Sequence, residues 1–293
     1  MKSYYKSLVA SCLALFFIEF TYGQSFQGKA YYFSKTSVDM GDFGRKGLSE
    51  GKKKQIAERL KDMFEKTFIL TFNQSESTYK EDEKLEAPGG GGMFKMMMGG
   101  FTDSGLQYKN VKSKEFLQQK EFFGKQFLIT DNLEKLDWKL SGETKKIGQY
   151  LCMKATATKA LNETDFTSMR MKRKGHDKEN TKDTEKGDDL EQEVEIPKEI
   201  EITAWYTLEI PVNQGPGEYW GLPGLILEVN ADRTTILCSK IVMNPKDKTT
   251  INKPKKGKKV TKEAYNTIVK KKTKEMQEMY QGRGRSGGMR PRG

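Results

Sequence analysis

The chain has 293 residues, is 35% hydrophobic and 31% charged, and carries a formal net charge of +12 with one histidine. That histidine, His176, stands in a run of charged residues, which excludes a histidine-based triad or a two-histidine zinc site; the length allows one large domain or one domain with tails. From Lys246 onward sixteen Lys/Arg stand against four Asp/Glu, so the basicity belongs to the C-terminal end and the rest is close to neutral.

Lys2 and Lys6 precede an apolar run from Leu8 to Phe20, broken only by Glu19, and Thr21-Tyr22-Gly23 follows. This is the layout of a cleavable secretory signal over 1–23, with an apolar run too short to span a membrane. Phe26 to Val38 then reads as a first strand. Ile56, Leu60, Met63 and Phe64 recur at helical spacing, so an amphipathic helix is expected over 52–66. Thr67 to Asn73 and Ser77 to Lys80 make a hairpin. The Gly-rich GGGGMFKMMMGGF run, within a flexible insertion expected at 88–101, cannot pack as a regular element. Strands are expected over 106–111, 115–123 and 125–130, with Gly124 at the last turn. Another, over 136–140, contains Trp138 and turns at Gly142, and 146–158 continues the sheet.

Residues 167–199 open basic and close acidic with almost no apolar content, which reads as a disordered insertion. The sheet resumes at Glu199 to Ile210 and ends near Val242. The single β-rich domain is therefore expected to cover 24–244. A basic, largely flexible tail over 245–293 follows, in which Tyr265, Ile268, Val269, Met276 and Met279 form a weak helical stripe. Meandering short strands of this kind predict a mainly β, α+β fold: a curved antiparallel sheet with one or two packed helices, resembling the half-barrel of periplasmic lipoprotein carriers.

The least generic stretch is PVNQGPGEYWGLPGLILEV, residues 211–229. Gly215-Pro216-Gly217 and Gly221-Leu222-Pro223-Gly224 are turn signals on either side of Tyr219-Trp220, and the apolar run from Leu225 to Val229 reads as a strand buried on both faces. Gly221-Leu222-Pro223-Gly224-Leu225-Ile226 resembles the signature of the GLPGLI family of secreted and envelope proteins. Ile147 to Ala155, Ala204 to Thr207, Ile210-Pro211 and Gly215-Pro216 resemble its flanks, so the likeness covers about residues 105–240. The resemblance implies membership of a family without an assigned activity. On the residues themselves, Gly215, Pro216, Trp220 and the six signature positions read as a structural motif.

Few other residues suggest chemistry. There is no Gly-x-Ser-x-Gly elbow, P-loop or dinucleotide fingerprint, and carboxylates such as Glu201, Glu209 and Glu228 cannot be ranked as catalytic. Once Cys12 leaves with the signal, Cys152 and Cys238 stand in strand-like contexts where a disulfide or two buried thiols are both open. Met93, Met96, Met97 and Met98 offer soft thioethers that could hold copper as Cu(I), or adaptable apolar contacts for a partner. Trp205, Trp220 and Tyr219 are either core or a stacking platform. The basic end suits an anionic surface such as lipid, lipopolysaccharide or an acidic partner, with nucleic acid disfavoured by export.

The sequence thus points to a non-enzymatic exported protein, periplasmic, outer-membrane-associated or extracellular, that binds an outer-membrane partner or an apolar ligand. No cofactor and no membrane-spanning segment in the mature chain are expected. A copper-handling accessory protein and an enzyme of unrecognised chemistry are the alternatives.

Overall fold

The structure is a computed structural model. It describes residues 26–37, 49, 51, 54, 55, 58, 61, 64–82, 105–161, 170–172, 193–195, 198–246 and 250–285. The expected leader over 1–23 and the run over 88–101 lie outside the described residues, as does most of 167–199.

Alternating apolar and polar residues form antiparallel strands β1 (Gln27–Thr36), β2 (Glu65–Asn73), β3 (Glu76–Glu81), β4 (Gln107–Asn110), β5 (Glu115–Phe122) and β6 (Lys125–Asn132). Strands β7 (Lys139–Ile147) and β8 (Tyr150–Ala160) make a hairpin, and β9 (Arg170–Lys172) pairs with β10 (Glu193–Glu195) as a separate two-stranded ribbon. Then come β11 (Glu199–Thr207), β12 (Leu225–Ala231), β13 (Thr234–Met243), the short β14 (Lys258–Val260) and helix α1 (Lys262–Arg285). Within 167–199, expected as a disordered insertion, the described residues instead pair as strands, with Lys172 in register with Glu193 and Arg170 with Glu195. The described residues between Gly51 and Phe64 are helical, as expected over 52–66 except that β2 already begins at Glu65; Ile56, Leu60 and Met63 of the expected apolar face lie outside the described residues.

Twelve strands form one sheet in the order β14-β6-β5-β4-β3-β2-β1-β13-β12-β11-β8-β7, antiparallel except for the parallel β14–β6 pair. Its curvature follows from its connections. Strands β6 and β7 stand ten places apart in that order, about 48 Å along a flat sheet at ~4.8 Å per strand. Only residues 133–138 join them, and that length of chain reaches at most about 25 Å. The sheet therefore curls, and it stays open rather than closing into a barrel. Shifts of register between Tyr31 and Tyr32 and between Trp205 and Tyr206 add local bends.

Two cores lie on either side of β12. Leu225 and Leu227 pack with Ala30, Tyr32, Phe68, Leu70 and Phe72, whereas Ile226 and Val229 pack with Ala155, Ile202, Ala204 and Tyr206. The expectation of a strand buried on both faces is met. A third cluster fixes α1, whose Tyr265 and Val269 meet Phe122, Phe127 and Ile129. Thr261 caps the helix through Oγ1 to the Ala264 amide at 3.2 Å, and Asp131 accepts from the Lys262 amide at 3.1 Å.

Two expectations are corrected. The strand expected over 136–140 with a turn at Gly142 is only half there: residues 133–138 are irregular, while β7 starts at Lys139 and passes through Gly142, where its register with β8 shifts. Leu136 and Trp138 are apolar because they pack on the second core as the chain crosses the sheet, not because they alternate along a strand. Likewise, residues 250–285 were expected within a flexible tail. Instead β14 extends the sheet, Ile251 packs on Tyr108, Leu117 and Leu128, and α1 seals the end; Met279, placed on the helical stripe, is 63% exposed.

Candidate functional site

Between β11 and β12 the chain leaves the sheet, and residues 208–224 fold back over it. The return is anchored by backbone bonds, from the Leu225 amide to the Ile210 carbonyl at 2.9 Å and from the Ile226 amide to the Gln214 carbonyl at 3.1 Å. Two glycines permit this path. Gly221 adopts φ of 93°, which side chains resist. Gly224 lies so close to β11 that a Cβ there would sit 1.9 Å from the Thr207 carbonyl oxygen. Leu222, Leu225 and Ile226 are buried, as is Pro216, while Pro223 is exposed at the bend.

The loop is clamped from three directions. Trp220 donates its indole Nε1–H to the Glu134 carbonyl at 2.7 Å, and Trp138 donates its own to the Trp220 carbonyl at 2.8 Å. The signature is thereby tied to the connector that forces the curl. Replacing Trp138 with Phe should remove one hydrogen bond and lower stability by about 1 kcal/mol with no change of fold, read by urea denaturation. An unchanged midpoint would show that this clamp contributes nothing.

From the sheet side, Lys109 of β4 reaches the loop. Gly28, Phe72, Ser77 and Lys109 are successive cross-strand partners and share one face. Lys109 is 1% exposed, and its Nζ donates to the Gly215 carbonyl at 2.7 Å and the Tyr219 carbonyl at 3.0 Å. Burial drives its pKa down to about 7, against the upward pull of the Glu218 carboxylate. Beside it, Ser77 donates to Gln214 Oε1 at 2.8 Å, and Tyr32 donates to the Ile226 carbonyl at 2.7 Å.

The third clamp is ionic. Glu218 pairs with Lys159 of β8 and with Lys262 at the start of α1, the latter at 3.6 Å. Burial pushes its pKa up, but the two ammonium groups outweigh that and hold it down at about 2. One carboxylate thus connects the signature loop, the helix and a strand near the opposite edge of the sheet.

The remaining candidates are scattered. Cys152 and Cys238 are free thiols in the same core cluster, and burial pushes them to about 11 and about 12, so neither is an activated nucleophile. Met93, Met96, Met97 and Met98 lie outside the described residues; among the described ones no group of three or more His, Cys, Asp or Glu could hold a metal. Glu228 pairs with Lys145 at 2.7 Å, and Glu209 accepts from the Leu151 amide at 2.9 Å, so both serve the sheet. Trp220 is buried in the loop, whereas Trp205 packs on the first core under the Lys145 ammonium, 4.3 Å from its ring. Of the two readings left open for these aromatics, core and stacking platform, their packing fits the core one, with Tyr219 on the second cluster.

Sequence reading missed Lys109, Gln214, Glu218 and Lys159. Only the register places Lys109 beneath the loop, and a lysine within Gln-Tyr-Lys-Asn carries no sign of burial. No helix among the described residues is long and apolar enough to cross a membrane.

Residues 138–228 match the model of an uncharacterised family, described as a protein of unknown function (Porph_ging). That span holds β7 to β11, the loop and the start of β12. Comparison with curated proteins gave no match. Two solved structures of PNGF-II, in different crystal forms, are similar to the chain. They give TM-scores of 0.43 and 0.41 at 13% and 14% identity, over 83% of this chain in each case. The chain spans about a third of their length, 32% and 33%.

Proposed function

We propose that this chain is a non-enzymatic, exported, GLPGLI-type protein of the cell envelope that binds an outer-membrane partner, with its basic C-terminal lobe holding an anionic surface. The observation that carries this reading is the attachment of that lobe to the sheet. Across residues 250–285 twelve Lys/Arg stand against three Asp/Glu, and Lys255, Lys256, Lys258 and Lys259 are all exposed along the edge made by β14. Charges held on a fixed edge act together on a negative surface, each adding about 1 kcal/mol at a lipid interface. An apolar ligand is the weaker arm, because the apolar side chains beneath the signature loop pack against the chain's own residues.

Co-sedimentation with phosphatidylglycerol vesicles tests the proposal. The full chain should pellet with them at low salt, release at about 0.5 M salt as screening shortens to a few ångströms, and ignore phosphatidylcholine vesicles. Changing Lys255, Lys256, Lys258 and Lys259 to Glu should abolish pelleting without unfolding the protein. Binding that persists in that variant, or that ignores salt, would contradict the assignment.

A further inference from the structure

Beneath the signature loop, the described structure leaves polar atoms that protein groups do not satisfy. Tyr79 and Gln107 are direct cross-strand partners on β3 and β4, next to the Ser77–Lys109 pair on the same face. The Tyr79 hydroxyl, Gln107 Oε1 and Gln214 Nε2 are each buried without a hydrogen-bond partner. Tyr79 is 5% exposed and Gln214 0%. Inverting the Gln214 amide does not remove the problem. Its oxygen accepts from Ser77 at 2.8 Å, so exchanging oxygen for nitrogen leaves the other amide atom over.

Burying such groups unpaired costs about 1–3 kcal/mol each, and buried polar atoms in folded proteins almost always have a partner. Three within one patch call for a common one. The available donors and acceptors are complementary: an amide N–H, an amide carbonyl and a hydroxyl that can play either role. There is also room beside them. A methyl-sized group at Gly217 would meet only Gln107 Oε1 within 4 Å, at 3.7 Å.

We infer that the space between the 211–224 loop and strands β3 and β4 is a buried hydration site, holding ordered water on Tyr79 Oη, Gln107 Oε1 and Gln214 Nε2. Water is the guest that fits the mixed donor–acceptor lining, since an internal water makes two to four such bonds. No formal charge is needed, because the nearby Lys109 ammonium is already engaged by two carbonyls. The site puts a wet polar patch under the loop at the margin of the first core, to which Tyr79 belongs.

A crystal structure at about 1.6 Å resolution tests this directly. A density peak within hydrogen-bonding distance of at least two of the three atoms is the expected result. A site without such a peak, its polar groups unpaired or turned to one another, would overturn it.

Tyr79→Phe gives a second reading through stability. In a hydrated site the variant loses a hydrogen bond and its urea midpoint falls. In a dry site it sheds an orphaned hydroxyl and the midpoint rises or holds. A fall supports the hydration site and a rise or no change contradicts it; should the variant fail to fold, the crystal density decides alone.

Discussion

Replacing Gly224 with Val should unfold the signature loop and cost about 3 kcal/mol or more, at or above the top of the ~1–3 kcal/mol usual for overpacking, because the obstructing backbone cannot move aside. The obstruction is the Thr207 carbonyl, whose oxygen and carbon lie 1.9 Å and 2.6 Å from the position of a new Cβ. Those atoms belong to β11, between β8 and β12, and β11 cannot retreat without breaking both ladders. Val adds two further methyl groups to the clash. Gly142→Ala is the matched control, since a Cβ there has nothing within 4 Å, and it should leave the urea midpoint within about 0.5 kcal/mol of wild type. Equal stability of the two variants would mean that Gly224 does not approach β11 in solution.

The second large effect is a pH dependence centred on Lys109. Its folded pKa is depressed from 10.5 to about 7, so between those values the unfolded chain binds a proton that the folded chain does not. Stability therefore rises with pH through this window, at up to ~1.4 kcal/mol per unit, and the gain is lost as pH falls towards 7. Below about 7 both states are protonated and the dependence stops. In Lys109→Met the rise is absent, while the Gly215 and Tyr219 carbonyls lose their donor. Measured by urea denaturation, wild type should gain on the variant by about 3 kcal/mol between pH 7 and pH 9.5. A difference that stays flat across that range would show that Lys109 keeps an ordinary lysine pKa and stays charged in the folded chain.

Much of the strand content was legible because it depends on local signals. Alternation and turn residues mark β1 to β6, and the apolar run Leu225 to Val229 marks a strand buried on both sides. The glycines and prolines of 215–224 announced a structural device, and Gly224 shows why: its neighbour is main chain. What stayed hidden was long-range. Trp138 looks like a strand residue until its indole is seen to bond the Trp220 carbonyl. Lys109 and Glu218 look like surface charges in a chain that is 31% charged. The docking of 250–285 depends on a few residues, Ile251, Tyr265 and Val269, set among lysines that dominate the composition. In each case the partner lies far away in sequence, and no local pattern encodes it.

On this reading the signature loop and its strand, residues 210–226, are an internal brace, and residues 250–275 belong to an outward-facing basic lobe. Hydrogen–deuterium exchange of the full chain, with and without phosphatidylglycerol vesicles, tests that division in one measurement. The 210–226 peptides should be protected like the central strands and unchanged by vesicles, while those covering 250–275 gain protection. Loop-like exchange over 210–226, or a vesicle effect there with none over 250–275, would contradict it and make the signature itself the binding surface.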